Sequence, residues 1–165
     1  MEVLVTVASR HGGTREIGSR IAAELRSRGH QVEILDPEQV ATVDRYDAVV
    51  LGSAVYASRW LPAARELADR FATELAERPV WLLSSGLATV PAANSPAETR
   101  ARVDALGARD HRAFGGRLDR NVLNLSERAI IAAVRGKEGD HRDMADVATW
   151  ARSIADDLAP TSISA

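Results

Sequence analysis

The chain has 165 residues, a length that suits one domain with a substantial hydrophobic core. Its formal net charge of −2 lacks the basic excess expected of a nucleic-acid-binding protein. The absence of cysteine excludes disulfides, thiol chemistry and cysteine-ligated metals. The first residues lack the features of a signal peptide, and no apolar run approaches the length of a membrane span, so we expect a cytoplasmic protein.

Predicted strands and helices alternate along the whole sequence. In chain order they are strand Val3–Ala8, helix Thr14–Ser27, strand Gln31–Leu35, strand Asp47–Ser53, helix Leu61–Leu75, strand Pro79–Ser85, helix Ala97–Leu106, strand Arg112–Leu118 and helix Asp143–Leu158. Nearly continuous apolar strands separated by helices indicate a doubly wound α/β domain with a five-stranded parallel sheet, for which we predict the order 2-1-3-4-5. We expect this domain to cover residues 1–159 and residues 160–165 to form a disordered tail.

The first loop joins a buried strand to a helix and is suited to binding a phosphate. Its backbone N–H groups and hydroxyls are donors, its glycines let the chain curl around an oxyanion, and the helix dipole favours a negative charge. Neither the P-loop nor the dinucleotide fingerprint fits, because no lysine follows Gly13 and the two glycines are adjacent. The alternative is an ordinary strand-to-helix turn. The predicted phosphate-binding residues are Ser9, Arg10, His11, Gly12, Gly13 and Thr14.

The same loop resembles the FMN-phosphate loop of the flavodoxins, which is a strand followed by [ST]-x-x-[AGC]-x-T and a helix. Ser9, Gly12 and Thr14 occupy its fixed positions, and Ile21 matches an aliphatic position in the helix. Gly18 stands where the family usually has alanine. This resemblance implies a flavodoxin-like fold and FMN as the cofactor.

Two further loops, the second at Ser53–Trp60 and the third at Ser84–Asn94, should converge with the first loop at Ser9–Thr14, at the carboxyl ends of the strands. An isoalloxazine ring needs a flat apolar surface and hydrogen-bonding groups at its rim. In the second loop we expect Tyr56 to contact the ring and Trp60 to be a hydrophobic anchor at the start of a helix. In the third loop Ser85 and Gly86 permit a close backbone approach. The predicted contacts in these two loops are Ser53, Ala54, Val55, Tyr56, Ser85, Gly86, Leu87 and Ala88.

Nearly the whole chain resembles the flavodoxin family and, more narrowly, the flavodoxin-like protoporphyrinogen oxidases. The narrower resemblance rests on the stretch from Ser9 to Ile17 and on the turn Gly136-x-x-Gly139-Asp140-x-Arg142-Asp143. It implies an FMN-dependent oxidoreductase that oxidises a small molecule such as a porphyrinogen and passes electrons to a quinone or another redox partner. The alternatives are a flavodoxin-type electron carrier and a non-catalytic interaction domain. The sequence assigns no catalytic residue.

The segment 121–140 has two interpretations. It combines basic residues with a strip of aliphatics, which is typical either of a helix packed on the sheet edge or of a partner surface. We favour core packing, with membrane association as the alternative. Asp140 and Asp143 are predicted to cap the last helix, and His111 and His141 are predicted to be surface histidines.

Overall fold

A computed structural model of the chain describes residues 1–10, 12–56, 58–86, 97–115, 117–118, 139–140 and 142–160. The strands are β1 Glu2–Ala8, β2 Gln31–Leu35, β3 Ala48–Tyr56, β4 Arg59–Trp60, β5 Val80–Gly86, β6 Asp110–Gly115, β7 Arg117–Leu118 and β8 Gly139–Asp140. The helices are α1 Gly13–Ser27, α2 Pro62–Arg70, α3 Ala72–Ala76, α4 Ala97–Leu106 and α5 Met144–Leu158, with one 3₁₀ turn at Pro37–Gln39.

Five parallel strands form the main sheet in the order β2-β1-β3-β5-β6. The two-residue strand β4 is added antiparallel to the end of β3, and β7 pairs with β8 in a separate ribbon. Counting only the parallel strands, this order is 2-1-3-4-5, so the predicted topology is confirmed. The switch point therefore lies between β1 and β3, where the carboxyl ends of neighbouring strands open a crevice for a ligand.

Helices cover both faces of the sheet. On one face α1 and α5 pack over alternate residues of β1, such as Val3, Val5 and Val7. On the other face α2, α3 and α4 cover the remaining alternate positions, such as Leu4 and Leu51. This arrangement follows from the continuous apolar strands, because a strand buried on both sides needs no polar alternation. The face covered by α1 and α5 is called face A below, and the opposite face is called face B.

Three predicted elements differ from the structure. The strand predicted over Asp47–Ser53 continues to Tyr56, so that the predicted loop residues Ala54–Tyr56 belong to β3. The helix predicted over Leu61–Leu75 is interrupted at Phe71, whose backbone angles (φ −108°, ψ 24°) are not helical, so that α2 and α3 are separate helices. The fifth strand of the main sheet ends at Gly115, earlier than the predicted Leu118, because Arg117 and Leu118 pair with β8 instead. The segment 121–138 and the tail residues 161–165 lie outside the described residues, and so do the predictions made for them.

Candidate functional site

The first loop ends in a helix start that no side chain caps within the described residues. Gly12 is the N-cap of α1 and adopts a left-handed conformation (φ 84°), while Gly13 is already the first helical residue. The Gly12 amide donates a hydrogen bond of 3.1 Å to Ser9 Oγ, which folds the loop back on itself. The first N–H groups of a helix have no partner inside that helix, so this turn presents donors and the positive end of the dipole to the crevice.

A residue from the other end of the chain holds this loop in place. The side chain of Arg142 is 6% exposed, and its guanidinium forms an ion pair with Glu16. The same group donates to the Gly13 carbonyl oxygen at 3.4 Å. Arg142 belongs to the C-terminal turn that the resemblance singled out, but sequence reasoning gave it no role. Its position in that turn is the signal that could have found it.

The C-terminal turn also starts the last helix. The Asp143 carboxylate accepts a hydrogen bond of 3.0 Å from the Asp146 amide, so its predicted role as N-cap of α5 is confirmed. Arg142 and Asp143 are adjacent, and one fastens the start of α1 while the other fastens the start of α5. The two helices that cover face A are thereby joined next to the first loop.

The strands that lead into the second and third loops, β3 and β5, lie in register with β1, which leads into the first loop. Ala8 pairs with Ser53, and Ser53 pairs with Ser84, which places three neighbouring strand ends on one line. Beyond that line Val55 pairs with Gly86. The structure therefore brings together the predicted site residues that it describes from β3 and β5, and it places them at the carboxyl edge beside the first loop.

The side chains of Ser53 and Ser85 form hydrogen bonds inside the protein. The buried Ser53 hydroxyl donates to the Ala54 carbonyl at 2.7 Å and accepts from the Leu61 amide at 2.9 Å. The buried Ser85 hydroxyl donates to the Gly115 carbonyl at 3.3 Å. These hydroxyls shape the loops from within. Tyr56, in contrast, is half-buried at the end of β3, where the guanidinium carbon of Arg10 lies 5.5 Å from its ring centroid.

The remaining predicted site residues, His11, Leu87 and Ala88, lie outside the described residues. A cleft of about 510 Å³ opens beside the first loop. Its wall combines apolar residues at the start of α2 with two arginines and two carboxylates, and the Arg15 guanidinium is 3.1 Å from the Asp36 carboxylate. The cleft residues are Val7, Ala8, Ser9, Arg10, Arg15, Asp36, Pro37, Glu38, Leu61, Pro62 and Ala63.

Behind the second and third loops a hydrogen-bonded chain crosses from β4 to β6 on face B. The Trp60 indole N–H donates to Ser84 Oγ at 2.8 Å, and Ser84 Oγ lies 2.9 Å from His111 Nε2. Trp60 is fully buried just before α2, so its predicted anchoring role is confirmed. The prediction of a surface location for His111 is wrong, since the ring is half-buried. Burial lowers the pKa of His111, and the nearby Asp110 carboxylate opposes that shift.

No cluster of potential metal ligands occurs in the part of the chain that the structure describes. Among the described helices, none is long and apolar enough to cross a membrane.

Comparison with known proteins places this geometry in a family. The family model described as "Flavodoxin domain" matches residues 4–145. Protoporphyrinogen IX dehydrogenase [quinone] of Escherichia coli (strain K12) is 30% identical over 89 residues, which are 53% of this chain and 49% of that protein. The chain is thus matched to about half the length of this curated relative.

Two solved structures share the fold over almost their whole length. A flavodoxin from the domain Archaea superimposes with a TM-score of 0.65 and 14% identity, covering 95% of this chain and 98% of that one. Oxidised Flavodoxin 2 from Bacillus cereus gives a TM-score of 0.65 and 18% identity, covering 96% of this chain and 100% of that one. At these identities the likeness concerns the fold.

Proposed function

The chain belongs to the flavodoxin family, and on that premise we propose that its described loops form the binding site of a redox-active FMN. Family membership indicates FMN as the cofactor. In the proposed site the phosphate is bound by the first loop, Ser9 to Thr14, and the ring lies against the ends of β3 and β5. When bound, FMN supplies the chemistry of electron transfer between a reduced substrate and an acceptor.

The observation that carries this proposal is the uncapped start of α1 beside the aligned ends of β1, β3 and β5. Gly12 adopts a left-handed conformation at the N-cap of α1, and the start of a helix favours a bound phosphate because its first N–H groups have no partner inside the helix. Arg10 adds a positive charge and reaches the Tyr56 ring of the second loop. The residues therefore fit a ligand with an anionic end and a flat aromatic end.

The test is a comparison of FMN with riboflavin, which carries the same ring without the phosphate. We expect the native protein to quench FMN fluorescence at a stoichiometry of one and to bind riboflavin far more weakly. The variant Thr14→Ala should weaken FMN binding with little effect on riboflavin. If FMN and riboflavin bind equally, the phosphate is not held by the first loop. If neither binds, the chain is a cofactor-free member of the fold.

We further propose that the protein is an oxidoreductase related in activity to its relative, acting on a porphyrinogen-like substrate with a quinone or another redox partner as acceptor. The support is the 30% identity to a protoporphyrinogen IX dehydrogenase [quinone] over 89 residues. The cleft of about 510 Å³ beside the first loop offers a wall of mixed polarity for such a molecule. The near-neutral net charge of −2 gives little electrostatic steering towards a basic protein partner, which disfavours the electron-carrier alternative.

Turnover separates these activities. FMN-loaded protein is mixed with protoporphyrinogen and menadione, and the appearance of porphyrin fluorescence is followed against a protein-free control. Acceleration over that control supports the oxidoreductase. FMN binding without acceleration favours the electron carrier, and an inability to be reduced favours an interaction domain. The cytoplasmic location and the extent of the domain over residues 1–159 stay predictions.

A further inference from the structure

In the hydrogen-bonded chain behind the candidate flavin site, the bond between Trp60 and Ser84 has a fixed direction. An indole N–H can only donate, so the Ser84 oxygen is the acceptor of the bond from Trp60. The direction of the contact between Ser84 Oγ and His111 Nε2 depends on the histidine tautomer: when the ring carries its proton on Nδ1, the Ser84 hydroxyl donates to Nε2. In this arrangement His111 is neutral and carries its proton on Nδ1.

This chain positions the two strand ends that border the ring site. Trp60 pairs with Val55 across the β3–β4 hairpin, and its backbone N–H donates to the Glu98 carboxylate of α4 at 2.7 Å. Ser84 directly precedes Ser85 and Gly86, and Gly86 pairs with Val55. The side chains of Trp60 and Ser84 are fully buried, so they have little freedom to shift independently. A change at His111 is therefore transmitted to both borders of the ring site.

We propose that His111 is a positioning residue for the flavin site, which acts by accepting a hydrogen bond from the Ser84 hydroxyl and so fixing Trp60 and the ends of β3 and β5. This proposal rests on the proposed binding of FMN between those strand ends. His111 itself lies two residues into β6 and pairs with Leu82, away from the loop tips. It therefore acts through Ser84 and Trp60 and is given no contact with the flavin.

Protonation of His111 should disturb the chain. A proton on Nε2 turns the acceptor into a donor, and the Ser84 oxygen then faces two N–H donors while its own hydrogen loses its acceptor. Among the described residues, the charged groups around the chain are Asp110 next to His111, Glu98 and Arg102 where α4 meets Trp60, and Arg65 of α2, which donates to the Trp60 carbonyl at 3.1 Å. Arg59 lies 3.8 Å from Glu98.

The direction of the pH effect follows from burial. Because burial lowers the pKa of His111 below its ordinary value of 6.5, the neutral ring persists at pH 7. Its contribution to folding is complete above pH 6.5 and declines as the pH falls from there through the lowered pKa of the folded state. FMN affinity should decline over the same acidic range, because the positioned strand ends require the neutral ring.

The experiment compares two substitutions at one position. His111→Gln keeps an acceptor, the side-chain amide oxygen, but cannot titrate, whereas His111→Leu removes the acceptor. The dissociation constant of FMN is measured between pH 5.5 and pH 8 by fluorescence quenching, and folding is checked by thermal unfolding. At pH 8 we expect near-native affinity for His111→Gln and a loss of about three- to tenfold for His111→Leu, the effect of one hydrogen bond. On acidification both variants should show a smaller decline in affinity than the native protein, and the decline that remains is that of the FMN phosphate, whose second pKa is about 6.

A matched control is available in His30. Burial also lowers the pKa of His30, but this residue precedes β2 at the amino edge of the sheet, opposite the site. His30→Gln should therefore keep the native pH profile of FMN binding. Native affinity and a native pH profile in folded His111→Leu would overturn the positioning role while leaving the proposed FMN site intact. Absence of FMN binding by the native protein would overturn both.

Discussion

The two faces of the sheet bury different kinds of residue. On face A the strands present aliphatic side chains and the buried hydroxyl of Ser85 to the helices, and the large aromatic pair Phe114 and Trp150 fills the space near β6. On face B the strands carry three fully buried hydroxyl residues, namely Thr6, Ser53 and Ser84, among the aliphatics. Both faces are buried, so the polar residues of face B cost free energy of folding that apolar residues would not cost.

The hydroxyls of face B are concentrated towards the carboxyl ends of the strands. Ser53 and Ser84 are neighbours in register, and their hydroxyls fix the second loop and Trp60. On face A the indole N–H of Trp150 reaches Asp110 at the opposite end of β6, away from the loops. The comparison indicates that face B gives up some apolar packing in order to hold the second loop and Trp60, while face A supplies apolar packing and holds the first loop through Arg142 at its edge.

The largest effect is expected from truncating the core of face A. Trp150→Ala removes a fully buried ring that packs edge-to-face on Phe114, with ring centroids 5.7 Å apart. We expect the free energy of unfolding to fall by about 3–5 kcal/mol, measured by urea denaturation. FMN affinity at low denaturant should be unchanged for the folded fraction. Weaker FMN binding by folded Trp150→Ala would contradict the division of roles between the faces.

A second prediction compares two glycines of similar backbone geometry, in order to separate an effect on the first loop from an effect on the stability of the fold. Gly12 and Gly29 flank the two ends of α1, with φ angles of 84° and 90°. Alanine at either position should cost about 1–2 kcal/mol of stability, because a Cβ is strained in this conformation. Only Gly12→Ala should weaken FMN binding, by about tenfold or more, because it also displaces the N–H groups that hold a charged phosphate.

The control Gly29→Ala is informative because a Cβ there would meet no heavy atom within 4 Å, so its cost is that of the backbone alone. FMN binding is measured by fluorescence quenching in both variants at matched folded fractions. Equal FMN affinities in the two variants would mean that the start of α1 does not hold the phosphate.

The sequence predicted the parts of the molecule that are encoded by consecutive residues. Apolar runs and helical spacing gave the five parallel strands and their order, and the turn after β1 gave the first loop with Gly12 at its bend. The C-terminal helix and its Asp143 cap were also predictable, since capping depends on a few neighbouring residues.

The long-range contacts of the site could not be predicted in this way. Arg142 reaches Gly13 across 129 positions in sequence, and His111 meets Ser84 across 27. Both contacts depend on strand register and helix placement, which no local pattern specifies. The predicted surface location of His111 is wrong for the same reason, because the sequence of a weakly apolar strand does not indicate which partner buries its histidine.

A third prediction tests how the C-terminal turn supports the first loop. Arg142→Gln removes the ion pair with Glu16 and leaves that carboxylate near the proposed phosphate. We expect FMN affinity to fall by about three- to tenfold. Arg28→Gln is the matched control, because Arg28 also joins α1 to α5, through Asp156 at 3.2 Å, but at the far end of α1. A similar loss of FMN affinity in both variants would indicate general loosening of α1.

The smallest expected effect is on the free energy of unfolding, and it comes from a residue of face B that lies far from the candidate site. Tyr46 precedes β3 at the amino edge, where its hydroxyl donates to the Glu33 carboxylate. Burial, reinforced by Glu33, raises the pKa of Tyr46 to about 12. Because the folded state holds the phenol proton more tightly than the unfolded state, this contribution to stability is fully present below pH 10 and is lost as the pH rises through 12.

Tyr46→Phe should therefore lower the free energy of unfolding by about 1 kcal/mol at pH 7, the value of one buried hydrogen bond. The difference from the native protein should shrink as the pH rises from 10 to 12, because the native protein loses the same contribution there. Urea denaturation across this range measures the difference, and Tyr56→Phe serves as the control that keeps Tyr46. FMN affinity should be native in Tyr46→Phe, since the residue lies at the opposite edge of the sheet from the loops. A loss of FMN affinity would show that the polar residues of face B act as one unit, and that the amino edge is coupled to the site.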